Sequence, residues 1–259
     1  MIGPILAAKR LQKRFGSVVA VDGVTVDFAP EVTIGIIGAN GAGKTTFVNM
    51  VTGYLKPYDG QILFQGADIT RLPPREVSRL GIRRSFQVAQ LFPNLSIRDN
   101  VLVALASAAD KWTAAMTPLR TRERVAEADA LLARVGLDHV AERVPTELAQ
   151  GQRNLLDIAL AMVGRSAVLL LDEPTSGISA EEKFPLMDLV TEVVGRAGTT
   201  ILFVEHDMEV VERHAARVVA FYEGRIIADG VPQTVLADAD VRRYVVGSEL
   251  HRRSEAARA

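Results

Sequence analysis

The sequence contains no cysteine and no long hydrophobic run, and neither sign of charge dominates it. Without cysteine, the chain can form neither a disulfide framework nor a thiolate metal site. Its densest apolar run, at 167–171, has the length of a buried strand and falls far short of the roughly 18–20 residues needed to cross a bilayer. Any role at a membrane therefore requires a partner.

The formal net charge of -1 and the charged share of 24% are ordinary for a globular protein. This balance argues against a free nucleic-acid-binding protein, because no global positive field would attract a phosphate backbone. The N-terminus reaches Lys9 and Arg10 after an apolar run that is too short for a signal peptide. At 259 residues the chain can form one catalytic unit with a subdomain.

Hydrophobic periodicity predicts an α/β fold. Residues 5–28 alternate apolar and polar side chains, as in an antiparallel sheet with one exposed face. Buried strands are predicted at 32–37, 168–172 and 199–204, and helices at 44–52 and 180–196. Strand, helix and strand at this spacing predict a parallel sheet.

A mostly helical stretch separates the first two buried strands. Helices are predicted at 97–106, 120–135 and 148–163, which indicates a helical subdomain inserted at about 91–165. Residues 218–222 and 225–228 predict a hairpin that turns at Gly224. The main domain is expected to end at residue 247, followed by a flexible tail at 248–259.

A glycine-rich stretch lies between the strand at 32–37 and the helix that follows it, and it matches the phosphate-binding P-loop pattern in full. The candidate nucleotide-binding residues are Gly38, Asn40, Gly41, Ala42, Gly43, Lys44, Thr45 and Thr46. Backbone N–H groups of such a loop face one concavity, and the helix N-terminus adds positive potential. Lys44 would reach the phosphates and Thr45 would bind Mg²⁺. The alternative is a glycine-rich turn with a solvated lysine.

Two acids, Asp172 and Glu173, follow the apolar strand at 168–172. Carboxyl ends of parallel strands form the ligand-binding edge of an α/β sheet. Asp172 is a candidate Mg²⁺ ligand through water, and Glu173 a candidate general base for the attacking water. The alternative is that Asp-Glu-Pro-Thr only begins the next helix, whose first turn favours acids and proline.

Two further polar side chains are expected at this edge. His206 follows the strand at 199–204 and is a candidate donor to the γ-phosphate, although a histidine at a strand end is more often a surface or helix-start residue. Gln87 ends a short strand predicted at 82–86, and its amide would bridge the metal or the lytic water. By sequence alone, an exposed loop position is equally compatible with Gln87.

The order of these motifs resembles that of ABC transporter ATP-binding subunits over about residues 6–247. A signature-like loop, residues 148–152, adds Ala149, Gln150, Gly151 and Gln152 as candidate nucleotide contacts. The resemblance implies a P-loop ATPase core with a small antiparallel β-subdomain and a helical subdomain. It also implies ATP and Mg²⁺ as cofactors, and a head-to-tail dimer in which each signature loop meets the other protomer's nucleotide. Phe15 matches the aromatic that stacks on adenine, with a core phenylalanine as the alternative.

Finer features, at 81–87, 91–96 and 205–208, resemble the importer branch that serves branched-chain amino acids, urea and short amides. This implies transmembrane permease subunits as partners, a solute-binding protein acting indirectly, no nucleic acid, and a peripheral position on the cytoplasmic face of the inner (plasma) membrane. The region around 87–100 matches the part that docks the permease. Alternatives are the ATPase of a lipid or lipopolysaccharide exporter, a non-transport ABC ATPase, and a module that binds ATP without turnover.

Two departures from the family pattern lie on surfaces that act on the other protomer. The signature loop has Ala149 and Gln150 where serine and then glycine or tyrosine are usual, and the loop after Glu173 ends in Ser179 where Asp or Asn is usual. Missing the serine hydroxyl would weaken one site, so we expect pairing with a different ATPase subunit. Tolerated drift is the alternative, because helix N–H groups still supply anion contacts.

Overall fold

The computed structural model describes residues 3–85, 91–109, 117–164 and 166–247. Its centre is a six-stranded sheet with the order β10-β9-β3-β8-β7-β6. All neighbouring strands are parallel except β10, which forms an antiparallel hairpin with β9. The α/β fold with a parallel sheet is therefore confirmed.

The strands of this sheet alternate with helices along the chain. The strands are β3 (Thr33–Gly38), β6 (Ile82–Arg84), β7 (Val168–Asp172), β8 (Thr200–Val204), β9 (Arg217–Tyr222) and β10 (Arg225–Gly230). The helices packed around it are α1 (Lys44–Val51), α2 (Pro74–Leu80), α6 (Ala180–Gly195), α7 (Met208–His214), α8 (Pro232–Ala237) and the short α9 (Ala239–Val241), which is followed by a π-helical turn at Arg242–Val246.

A second, antiparallel sheet has the order β2-β1-β4-β5. It consists of β1 (Leu6–Phe15), β2 (Val18–Phe28), β4 (Asp59–Phe64) and β5 (Ala67–Asp68). Alternation is clearest in β2, where Val24, Val26 and Phe28 are buried while the residues between them are exposed. The period of two that predicted these strands thus reflects one buried face and one solvated face.

The helices between β6 and β7 are α3 (Ile97–Ala108), α4 (Arg122–Arg134) and α5 (Gln150–Met162), with 3₁₀ turns at Asp138–Val140 and Pro145–Glu147. Their apolar side chains form a hydrophobic cluster of their own, which includes Val101, Leu132 and Leu156. The extent of an inserted subdomain at about 91–165 stays a prediction.

The parallel sheet has a separate core on each face because successive side chains of a strand point to opposite sides. In β7, Leu170 packs with α1 and the antiparallel sheet, whereas Leu169 and Leu171 pack on the opposite face, beneath α6 and α7. Both faces being covered explains why β7 reads as an uninterrupted apolar run.

Most predicted boundaries lie within one or two residues of the observed ones. The strand predicted at 82–86 ends instead at Arg84, although the Ser85 N–H still bonds to the Leu170 carbonyl at 2.9 Å. Strands β4 and β5 and helix α2 were not predicted, because their short, partly exposed segments carry little periodicity. The expected tail at 248–259 lies outside the described residues.

Candidate nucleotide site

The loop between β3 and α1 has a backbone that only glycine accommodates at two positions. Gly38 and Gly43 have φ angles of 154° and 101°. A Cβ atom at Gly38 would lie 2.4 Å from the Phe221 carbonyl oxygen, and one at Gly43 would lie 2.4 Å from that of Ala20. The glycines therefore serve a close approach to the neighbouring strands.

Lys44, the first residue of α1, is 6% exposed. Its Nζ donates to the carbonyl oxygens of Gly38 at 2.5 Å and Ala39 at 3.1 Å. The ammonium thus lies inside the loop, so the interpretation of Lys44 as a solvated surface lysine is wrong. Backbone carbonyls hold it there. Phosphate oxygens that enter the loop would replace these neutral acceptors and form charge-assisted hydrogen bonds with the ammonium.

Other loop residues differ in exposure in a way that suits a ligand. Ala42 is buried, whereas Asn40, Gly41 and Thr45 are exposed and Thr46 is half-buried. Thr45 lies in the first turn of α1, where N–H groups lack intrahelical partners. The loop therefore presents hydroxyl and N–H groups to the same end of the helix that favours anions.

Asp172 ends β7 and is 8% exposed. Arg84, at the end of β6, donates from Nη2 to Asp172 Oδ2 at 2.6 Å and from Nη1 to Asn49 Oδ1 of α1 at 2.5 Å. Asp172 is therefore held in place by Arg84, and the guanidinium connects it to α1.

The oxygen donors at this edge fit Mg²⁺. Among the residues that the structure describes, no group of three or more His, Cys, Asp or Glu side chains could hold a metal ion. Mg²⁺ does not need such a group, since it commonly binds one or two carboxylates, waters and substrate phosphates. The hydroxyl of Thr45 and the carboxylate of Asp172 are hard donors of that kind.

Glu173 and His206 are in direct contact. The Nε2 of His206 lies 2.9 Å from Glu173 Oε1, and both side chains are only partly exposed. Glu173 has a φ of 51°, an uncommon left-handed conformation for a residue with a side chain. Strained backbone of this kind persists where the surroundings enforce it, often at functional positions. The structure thus brings together two predicted catalytic side chains from neighbouring strands.

A cleft of about 400 Å³ opens beside this pair. Its wall includes Glu173, Ser176, Lys183, His206 and Asp207. The cleft is open to solvent at the carboxyl edge of the sheet, and most of its lining residues have polar or charged side chains, which could contact a water molecule or a phosphate group.

The signature-like loop lies at the start of α5. Ala149 and Gln150 are exposed, while Gly151 and Gln152 are half-buried. The Gln152 side chain accepts from the Ala149 N–H at 3.2 Å, which is half of a capping box. Ala149 has no side-chain oxygen to complete it, so the next N–H groups of the helix remain available to an anion.

The comparisons with known proteins agree with this geometry. The family model for ABC transporters matches residues 21–176. The high-affinity branched-chain amino acid transport ATP-binding protein LivG of Escherichia coli (strain K12) is 34% identical, over 95% of this chain and 99% of that protein. BraF of Pseudomonas aeruginosa, described in the same words, has the same identity and coverage. The chain belongs to the family of ABC transporter ATP-binding proteins.

Solved structures of ABC cassettes share its fold. A nucleotide-free ATP-binding cassette from an ABC transporter has a TM-score of 0.83 at 29% identity, covering 92% of this chain and 97% of that chain. The ADP conformation of the cassette MJ1267 also has a TM-score of 0.83 at 29% identity, covering 93% and 97%. The predicted fold class, an ABC ATPase core, is confirmed.

Several other residues predicted from the ABC resemblance can be located. Phe15 is 48% exposed at the end of β1, with Lys13 Nζ 5.5 Å from its ring centroid, so the core interpretation is wrong and adenine stacking stays a prediction. Ser179 is exposed before α6, and its Oγ donates to Glu182 Oε2 at 3.1 Å. Gln87 lies outside the described residues. No helix in the described parts of the chain is both long and apolar enough to span a membrane.

Sequence reasoning missed Glu205, the residue before His206. Its buried carboxylate accepts from the N–H and the hydroxyl of Thr175, at 2.9 and 2.7 Å, and from the His206 N–H at 3.1 Å. Burial raises the pKa of Glu205, although these hydrogen bonds oppose the shift. Glu205 therefore joins the His206 turn to the loop after Glu173.

Asn154 of α5 was also missed. Its Nδ2 donates to the Pro174 carbonyl oxygen at 2.8 Å, and its Oδ1 accepts from Gln150 Nε2 at 2.8 Å. The signature-like loop and the loop after Glu173 are thus bonded within one chain. Only the tertiary fold makes this visible, because the partners are 20 residues apart and belong to no shared motif.

Proposed function

We propose that this chain hydrolyses ATP and drives import of a small polar solute by an ABC transporter, with branched-chain amino acids first among the candidate solutes. The observation that carries the proposal is the convergence of Lys44, Asp172 and the Glu173–His206 pair at one edge of the parallel sheet. The names of the LivG and BraF relatives support the solute class.

The loop residues would bind and orient the phosphates. Lys44 would exchange the carbonyls of Gly38 and Ala39 for phosphate oxygens, and the N–H groups of the first turn of α1 would hold the remaining ones. Thr45 and Asp172 would hold Mg²⁺. A bound Mg²⁺ would neutralise phosphate charge during phosphoryl transfer.

Glu173 would act as the general base. It lies at the carboxyl edge of the sheet, and the contact of its Oε1 with His206 Nε2 would orient the carboxylate that accepts a proton from water. The same imidazole lies at the end of β8, where it can turn toward the γ-phosphate. The contact between the two side chains would therefore respond to whether that phosphate is present.

Exposure of the signature-like loop supports a head-to-tail dimer. Ala149 and Gln150 are exposed, and a Cβ at Gly151 would have its nearest neighbour at 4.0 Å. We expect the second protomer to be a different ATPase subunit, because Ala149 lacks the hydroxyl that would contact its nucleotide. Permease subunits would then hold the pair at the cytoplasmic face of the membrane, with a solute-binding protein on the other side.

The test is affinity purification of the tagged chain from gently solubilised membranes, with mass spectrometry of the partners. We expect two permease chains, a second ATPase and a solute-binding protein, and ATPase activity that rises when branched-chain amino acid is added to the reconstituted complex. A Lys44→Ala chain, which should assemble but not turn over, is the matched control. Recovery of ribosomes, or of a lipid-exporting permease, would contradict the import proposal.

A further inference from the structure

Arg84 joins three elements of the candidate nucleotide site and has no role in the motifs described above. Its guanidinium lies between Asp172 Oδ2 on β7 and Asn49 Oδ1 on α1, at 2.6 and 2.5 Å. The side chains of Arg84 and Asp172 are 9% and 8% exposed. Water is therefore largely excluded, and the pair has a defined geometry.

Asn49 places this bridge on the metal-binding side of α1. It lies four residues after Thr45 on the same helix, so the two side chains share one face. Arg84 thus fixes the distance between the carboxylate of Asp172 and the helix that carries the Thr45 hydroxyl. These are the two groups that would hold Mg²⁺.

We propose that Arg84 is a positioning residue for Mg²⁺. It occupies Oδ2 of Asp172 and leaves Oδ1, to which no side chain in the described parts of the chain donates, to face the metal and its waters. The inference rests on the proposed function, since it concerns the same nucleotide site. It differs from a ligand role, because Arg84 acts on the metal only through Asp172.

The planar guanidinium is suited to this task and an ammonium is not. Two N–H groups of one rigid fork reach two acceptors on different elements, whereas the point charge of a lysine holds its partners without a fixed plane. Orienting groups behind a metal ligand commonly change metal affinity by about 10- to 100-fold when they are removed. A stabilising ion pair without this role would affect folding alone.

The experiment measures how much Mg²⁺ tightens nucleotide binding. The full-length chain is titrated with a fluorescent, non-hydrolysable ATP analogue in excess Mg²⁺ and in EDTA, and the ratio of the two Kd values is the magnesium effect. For Arg84→Met we expect this ratio to fall roughly tenfold or more, with the Kd in EDTA nearly unchanged. Electron paramagnetic resonance of Mn²⁺ in the nucleotide complex should report the same loss.

Three further variants make the result decisive. Arg217→Met removes another paired arginine, which binds Asp229 on the β9–β10 hairpin, and should leave the ratio unchanged. Arg84→Lys should preserve folding better than Arg84→Met while restoring little of the ratio. Asn49→Ala, which suits a helix, should lower the ratio by a smaller factor, and it serves with Arg84→Lys if Arg84→Met does not fold.

The outcomes separate this inference from the proposed function. If the wild-type chain binds the analogue equally well with and without Mg²⁺, or Lys44→Ala binds as well as wild type, the proposed function fails. If wild type shows a magnesium effect that is unchanged or larger in the Arg84 and Asn49 variants, the proposed function stands and positioning by Arg84 is overturned.

Discussion

The phosphate-binding loop and the signature-like loop contact the same kind of ligand in this family but are built differently. In the first loop, Gly43 has a backbone oxygen 2.4 Å from where a Cβ would lie, and the Lys44 side chain is buried among carbonyls. In the second loop, a Cβ at Gly151 would meet its nearest neighbour at 4.0 Å, and Ala149 is exposed. One loop is packed by its own chain, and the other is exposed.

This difference shows which contacts hold each half of the proposed site. Contacts within the chain hold Lys44, Asp172, Glu173 and His206 at the proposed nucleotide site. Ala149 and Gln150 are exposed, and their hydrogen bonds run to Gln152 and Asn154 of the same helix. Changes in the phosphate-binding loop should therefore affect the isolated chain, whereas changes in the signature-like loop should appear only in the assembly.

The largest effect is expected from Glu173→Gln. The amide keeps the size of the side chain but cannot accept the proton of the attacking water, so turnover should fall about 10²- to 10⁴-fold while nucleotide binding persists. Steady-state ATPase assays and equilibrium binding on the same preparation would measure both. Glu192→Gln, at an exposed pair with Arg196 on α6, is the matched control. Equal loss of binding and turnover would contradict the assignment of Glu173 as a base.

A pair of alanine substitutions compares the two loops directly. Gly43→Ala places a side chain at a φ of 101° and against the Ala20 carbonyl, so we expect a loss of at least about 2 kcal/mol in the free energy of unfolding. Gly151→Ala has room and lies in a helix, where alanine is favoured by about 0.5–1 kcal/mol. Thermal denaturation of both chains measures the contrast.

Gly151→Ala, the milder substitution in the isolated chain, should be harmful in the assembled transporter. Gly151→Ala should lower the ATPase activity of the complex even though the isolated chain is no less stable, because its Cβ covers the N–H groups offered to the other protomer's nucleotide. Equal stability of the two variants would show that the phosphate-binding loop is less constrained than its geometry implies.

Prediction from sequence succeeded where one element carries the signal. The run at 168–172 is apolar on both faces, so strand β7 and its terminal acids could be placed without a partner. Likewise, the glycine pattern at 38–43 specifies a backbone that other residues cannot adopt. In both cases local chemistry determines the structure.

Contacts between distant segments could not be predicted in this way. Arg84 and Asp172 are 88 residues apart, and the Glu205 contacts with Thr175 span 30 residues. Each residue alone reads as an ordinary strand-end charge. Their roles depend on strand order, since β6 neighbours β7 and β7 neighbours β8 in the folded sheet. The signal available for these contacts was the occurrence of charged residues at the ends of several strands, which align along one edge of the sheet.

A smaller effect is expected from Ala149→Ser. The added hydroxyl would donate to a phosphate of the nucleotide held by the partner subunit, and a hydrogen bond to a charged group contributes about 1.5–3 kcal/mol. Turnover at that nucleotide should rise roughly tenfold or more. The other site is first disabled by Glu173→Gln in this chain, so that single-site ATPase activity is measured. Unchanged turnover would leave Ala149 as tolerated drift and remove the argument for a weak site.

The smallest effect concerns Glu205, which joins the His206 turn to the loop after Glu173 through Thr175. Burial raises the pKa of this carboxyl, so between the usual glutamate value and the raised one the folded state binds more protons than the unfolded state. Its contribution therefore lowers the free energy of unfolding as the pH rises through that window. Asp207 does not titrate in the same pH window, because its pKa is lowered. Burial would raise this pKa, but the hydrogen bond and charge of Lys183 prevail.

Glu205→Gln should remove this slope, because the amide does not titrate. It should also lower stability at every pH, since its NH₂ group would face the N–H donors of Thr175 or His206, leaving them without an acceptor. Denaturant unfolding of wild type and variant across the mildly acidic range measures both effects. Thr175→Val removes the hydroxyl that donates to the ionised Glu205 carboxylate and lowers its pKa. This variant should therefore steepen the slope. A slope that is identical in all three chains would mean that Glu205 does not titrate in this window.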